Sequence, residues 1–189
     1  HEAIPITGTI VSGTYYTGTT EKNIKNYTHG MFQSVYDYPY LSSSANHIFD
    51  VAIGLAATSS LSGTSGGHTQ IAKKINVYNQ MAQVLAGYDE NGNIRRFDED
   101  GDLTGTATKL DEVYFINFAR LLSKDEIKKG SFNLELGVSA SWDQQNGVFA
   151  QRIKLADTNA QNDYRVNSPA GDYGILYATE GTSGDILTK

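Results

Sequence analysis

The sequence predicts an α+β fold: a mainly antiparallel β-sheet with one long amphipathic helix and one short capped helix, plus an extended N-terminal arm. Three observations lead there. Stretches with period-two alternation outnumber helical stretches by about three to one. They run in the order strand, helix, hairpin, strand, short helix and then strands in succession, whereas a parallel sheet would alternate strand with helix. The chain is also punctuated for tight turns, with 19 glycines and the dipeptides Asn91-Gly92 and Asn146-Gly147. At 189 residues it predicts one domain, with residues 1–44 as the extended arm and residues 45–189 as the α+β domain.

Each element has its own signal. Residues 1–44 are rich in Thr, Gly and Tyr, as in Thr14-Tyr15-Tyr16-Thr17-Gly18-Thr19-Thr20, and show no helical period. Pro5, Pro39 and the string Tyr36, Tyr38, Tyr40 favour extended chain lying on another surface. From His47 to Leu55, Phe49, Val51, Ile53 and Leu55 alternate with smaller or polar residues, the pattern of a half-buried strand. Ser59 to Gly67 reads as a loop. Between Thr69 and Ala86, the residues Ile71, Ile75, Tyr78, Ala82 and Leu85 are spaced by fours and threes, which puts one apolar stripe on a helix. Thr69 can cap its start, and Gly87 can end it in the left-handed conformation that glycine adopts cheaply.

Asn91-Gly92 then forms a hairpin turn between Tyr88 and Ile94, followed by an acidic loop. Val113 to Phe118 is apolar on both alternating faces, which predicts a central, covered strand. Ser123 and Glu126 match a capping box, with Leu122 and Ile127 as its staple and Lys128-Lys129-Gly130 as its end, so a short helix is expected. Phe132, Leu134, Leu136 and Val138 alternate with polar or small residues, and Phe149, Ile153 and Leu155 do so after Asn146-Gly147. Shorter strands are expected around Tyr164 and Val166 and around Tyr173, Ile175 and Tyr177.

Composition excludes several kinds of function. Hydrophobic residues make up 39% and charged residues 19%, so the chain is globular but polar. With 0 cysteines there is no thiol catalysis, no thiolate metal site and no disulfide framework, and stability must come from packing or from neighbouring subunits. A net charge of -6, from 15 basic and 21 acidic residues, argues against sequence-independent binding to nucleic acid, which needs clustered Lys and Arg. No apolar run approaches the ~20 residues of a membrane-spanning helix, and no basic start precedes an apolar stretch as in a signal peptide. An opening at His1 without Met is what a trimmed, processed or mature chain would show.

The motifs that suggest chemistry each have a plainer reading. Gly63-Thr64-Ser65-Gly66-Gly67 has the form of the loop around a trypsin-like nucleophile, with His47 and Asp50 upstream. The usual Asp before the Ser is absent, and the three groups fall within about twenty residues, where such a barrel spreads them widely. A flexible loop before a helix is the simpler reading. Asp98, Asp100 and Asp102 alternate as calcium ligands do, as do Asp89, Asn91 and Asn93. Neither run is an EF-hand: Leu103 and Ile94 stand where Gly is required, and the twelfth positions hold Lys109 and Asp100 instead of Glu. A solvated acidic turn beside Arg95 and Arg96 is expected, with a loose structural calcium site as the alternative. His1, His29, His47 and His68 have no metal-binding spacing. No Gly-rich loop precedes a Lys-Ser or Lys-Thr, so nucleotide hydrolysis finds no support. Trp142 with Tyr-rich loops could form a sugar platform, but Tyr equally serves any wet protein interface. No catalytic residue, metal or cofactor is expected.

Three stretches, Ile71–Leu85, Phe115–Leu136 and Tyr164–Tyr177, contain Val77-Tyr78-Asn79-Gln80, Asn117-Phe118-Ala119-Arg120 and Gly174-Ile175-Leu176-Tyr177. Together they resemble a family of virion structural proteins of T-even-like marine phages, especially cyanophages, over residues 45–178. These motifs are structural and silent on chemistry. The resemblance implies a non-enzymatic structural subunit of a tailed-phage particle, in the tail, baseplate or fibre region, and a further apolar strand after Tyr177. A capsid-associated or decoration subunit, and a receptor or carbohydrate-binding β-rich module, are the alternatives. The expected partners are copies of itself and other phage structural proteins, with no nucleic acid, membrane or small-molecule substrate. The expected location is the phage particle. Candidate interface residues are Tyr15, Tyr16, Phe32, Tyr36, Tyr38 and Tyr40, which could add to a neighbour's sheet edge or fold back on their own domain.

Overall fold

A computed structural model describes residues 23–63, 69–104, 106–118, 127–137, 152–180 and 186–188. It is α+β, with one long helix and antiparallel sheets. The chain divides into two compact units, one drawn from residues 2–80 and 111–125 and the other from 81–110 and 126–189.

In the first unit, β1 (Ile24–Asn26), β2 (Gln33–Tyr36), β3 (His47–Leu55) and β4 (Glu112–Asn117) form one antiparallel sheet in the order β1-β2-β3-β4. Ile24–Asn26 and Gln33–Tyr36, expected within the arm, are therefore strands of this sheet. Gly30, at φ +65, makes the β1–β2 turn, its amide donating to the Tyr27 carbonyl at 3.0 Å. The β2–β3 register runs Gln33↔Val51, Ser34↔Asp50 and Val35↔Phe49, then shifts before Tyr36↔His47.

β3 has the expected alternation, but the helix lies on the face that carries Ala52 and Gly54. A Cβ on Gly54 would meet Tyr78 Cα of the helix and the ring of Phe115, and Ala52 pairs with Phe115 on that side. The more apolar set, Phe49, Val51 and Ile53 with Tyr114 and Ile116 of β4, occupies the opposite face. Of these, the three β3 residues and Ile116 are half-buried and Tyr114 is 70% exposed. β4 was expected to be central and covered; it instead lies at the end of the sheet order, pairing among the described residues only with β3. The apolarity of both faces pointed to a central position, but pairing is fixed by distant segments that a local pattern does not contain.

The helix α1 (Thr69–Leu85) starts and ends near its expected bounds, and the division between the two units falls within it, after Gln80. Gly87, at φ +77, ends it with its amide on the Ala82 carbonyl at 2.9 Å, as the sequence predicted. The buried stripe runs through Val77, Tyr78 and Ala82 to Ala86, whereas Leu85 is 38% exposed. Among the described residues no helix is long and apolar enough to cross a membrane.

In the second unit, β5 (Asn133–Gly137), β6 (Arg152–Ala156), β9 (Tyr177–Glu180) and β10 (Ile186–Thr188) form an antiparallel sheet in the order β10-β9-β6-β5. Leu134↔Leu155 and Leu136↔Ile153 match the alternation read from sequence. β7 (Tyr164–Arg165) and β8 (Tyr173–Gly174) pair as a separate ribbon. The Asn91-Gly92 turn is present, with Gly92 at φ +80 and Tyr88 bridging Ile94. The capping box Ser123–Glu126 lies outside the described residues. Residues 127–130, expected in its helix, hold a turn whose Lys128 carbonyl accepts the Ser131 amide at 3.1 Å.

Candidate functional site

Of the six candidate interface residues, Tyr15 and Tyr16 lie outside the described residues. Of the other four, Phe32, Tyr36 and Tyr40 engage rings of their own unit. Phe32, 36% exposed, lies 5.1 Å from Tyr27 and 4.8 Å from His29, while Tyr27 and His29 stack at 5.1 Å and Lys25 sits over Tyr27. Tyr36 meets His47 edge-on at 5.5 Å and Tyr40 at 6.2 Å. Tyr36, Tyr38 and Tyr40 are half-buried. Between Tyr36 and Tyr38, Asp37 anchors the turn. Burial alone would raise its carboxyl, but the side-chain and backbone donors of Asn46 outweigh that and hold it below the ordinary 3.8.

The larger exposed apolar groups of this unit are elsewhere. Leu41 is 80%, Tyr114 70% and Leu61 62% exposed. Tyr114 belongs to the apolar sheet face described above, and the signal that could have singled it out is the two-sided apolarity of its strand.

His47 and Asp50 do meet, Nε2 to Oδ1 at 2.7 Å. The same carboxylate oxygen accepts the Ser34 hydroxyl at 2.5 Å, and Ser34 Oγ lies 3.1 Å from the Tyr27 hydroxyl. The carboxylate thus stands between serine and histidine, so the serine proton points to Asp50 and not to an imidazole base, and Ser34 is fully buried. This is a buried polar network that ties β2 to β3. Ser65 and Trp142, on which the hydrolase and sugar-binding readings depend, lie outside the described residues.

The second unit carries the acidic loop. Asp98, bridged to Lys109 across the loop, is 3% exposed, and its Oδ2 receives Lys109 Nζ at 2.6 Å. Gly101 at φ +73 and Leu103 at φ +60 turn the chain back, and Leu103, the one non-glycine described residue in that region, is held there by burial. It takes the backbone conformation that calcium loops give to Gly at their sixth position. Asp102 Oδ1 accepts the Thr104 amide at 2.8 Å and hydroxyl at 2.9 Å, and Asp100 Oδ1 accepts the Asp102 amide at 3.5 Å. Asp98, Asp100 and Asp102 each place one carboxylate oxygen within 4.8 Å of the other two. Nearby, the Asp102 carbonyl accepts Asn167 Nδ2 at 2.8 Å, and Asn167 Oδ1 accepts the Tyr173 hydroxyl at 2.9 Å. Burial, then the negative charge of Asp102, pushes that hydroxyl's pKa up. Asp98, Asp100 and Asp102 are the described residues best suited to hold a metal ion.

Comparisons with protein families, with curated proteins and with solved structures found no match for this chain.

Proposed function

We propose that the chain is a non-enzymatic structural subunit of a tailed-phage particle, in its tail, baseplate or fibre region, held in place by copies of itself and by other particle proteins. The observation that carries this reading is the sheet face opposite the helix. β4 has a sequence that calls for cover on both sides, yet among the described residues it stands at a sheet edge, with Tyr114 70% exposed beside half-buried Ile53 and Ile116. Aromatic residues with a polar tip suit subunit contacts, since the ring buries area while the hydroxyl keeps a wet partner. The stretches Ile71–Leu85, Phe115–Leu136 and Tyr164–Tyr177 support the same reading through their resemblance to virion structural proteins.

Two measurements test it together. Mass spectrometry of purified particles should find the chain at several copies per particle. Light scattering of the purified chain should find a defined oligomer. A chain absent from particles and strictly monomeric at concentrations where subunits assemble would overturn the proposal.

A further inference from the structure

We propose that the loop from Asp98 to Thr104 binds a hard divalent cation, Ca²⁺ by preference, through the carboxylates of Asp98, Asp100 and Asp102. The first observation is convergence: one oxygen from each carboxylate lies within 4.8 Å of the other two. An ion held about 2.3–2.6 Å from each oxygen spans such a separation. The second observation is independent of the clustering. Asp98 is more than nine-tenths buried, and its Oδ1 is removed from water with no hydrogen-bond partner among the described residues. Lys109 satisfies only the other oxygen of that carboxylate. A charged oxygen buried without a donor is costly, and a cation bound among the three carboxylates supplies the missing partner.

The ligand chemistry follows from the donors. Carboxylate oxygens in an irregular loop, completed by main-chain oxygen and water, suit the flexible shell of Ca²⁺ better than the strict octahedron of Mg²⁺. The site should be weak. Lys109 holds the twelfth position counted from Asp98, where an EF-hand places its bidentate Glu, and the ammonium competes for Asp98. Affinity is therefore expected at roughly 10⁻⁴–10⁻³ M, the range of extracellular calcium modules. Ion binding would fix the loop that Asn167 and Tyr173 already brace within this unit.

The test is calorimetric titration of the full chain with CaCl₂ and, separately, MgCl₂, with thermal unfolding in parallel. Saturable Ca²⁺ binding is expected, with Tm raised by about 4 °C at ten times Kd. Asp100→Asn, at a half-buried position, should weaken binding about tenfold or more and shrink the Ca²⁺-dependent rise in Tm accordingly. Lys109→Glu should tighten it about tenfold by supplying the twelfth-position carboxylate. If that variant does not fold, Asp100→Asn alone decides. No saturable heat up to about 10 mM Ca²⁺, an Asp100→Asn titration like that of the parent, or equal responses to both cations would each overturn the proposal.

Discussion

Gly54 lies against Tyr78 so closely that a Cβ on it would sit 3.1 Å from Tyr78 Cα and 2.7 Å from Phe115 Cε2. Backbone thus meets backbone where α1 crosses β3, and the absence of a side chain is what brings the helix onto this face of the sheet. Gly54→Ala should destabilise the protein by about 1–3 kcal/mol, through overpacking and not through φ. Urea unfolding measures it, and a loss under about 0.5 kcal/mol would show that the helix shifts away freely.

That contact also shows what could be read in advance. The alternation in β3 and the four-three spacing in α1 are local and were legible, as was the end of the helix at Gly87. The side of β3 that takes the helix was not, because the apolar signal is concentrated in Phe49, Val51 and Ile53, while the contact is made by the residue with no side chain. β1 and β2 were not legible because Ile24–Asn26 and Gln33–Tyr36 are too short to show a period. The Ser34–Asp50–His47 network joins residues up to 16 apart in sequence, and no spacing rule anticipates it. In the acidic loop the alternating aspartates were visible, but the burial that singles out Asp98 depends on packing.

Asp157 joins the end of β6 to the approach of β5. It is 6% exposed, and its two oxygens accept the amides of Gly130 and Phe132, each at 2.8 Å. Asp157→Ala removes both acceptors at once and should cost about 2–4 kcal/mol. Asp157→Asn keeps one acceptor but sets its NH₂ against the other amide donor, so it should cost less than Asp157→Ala but at least half as much. Equal losses in the two variants, read from Tm, would contradict this division of labour.

The hairpin turn after Tyr88 depends on ionised Asp89. The Asn93 amide donates to its carboxylate at 2.8 Å and the Asn91 amide at 2.9 Å, and these bonds, that of Asn93 foremost, hold its pKa below the ordinary 3.8. Because the folded value lies below the unfolded one, the contribution is complete above the unfolded pKa and is lost as pH falls through the folded one. NMR titration should give Asp89 a midpoint below 3.8, with the Asn91 and Asn93 amide shifts moving at the same pH. A midpoint at or above 3.8 would remove the turn's dependence on this charge.

Tyr114 separates assembly from folding. At 70% exposure its ring contributes little to the folded chain, so Tyr114→Arg should change stability by no more than about 0.5 kcal/mol, as is typical of surface sites, and shift Tm by about 2 °C or less. At an interface the same change places a charge against apolar Ile53 and Ile116 and whatever covers them, and losing a central aromatic anchor there costs about 2 kcal/mol or more per contact. The oligomer measured by light scattering should therefore dissociate roughly thirtyfold more readily, with the monomer intact. Tyr114→Phe, which keeps the ring, should restore most of the assembly. An oligomer indifferent to Tyr114→Arg would move the contact off this face, and a large loss of Tm would make the residue part of the fold.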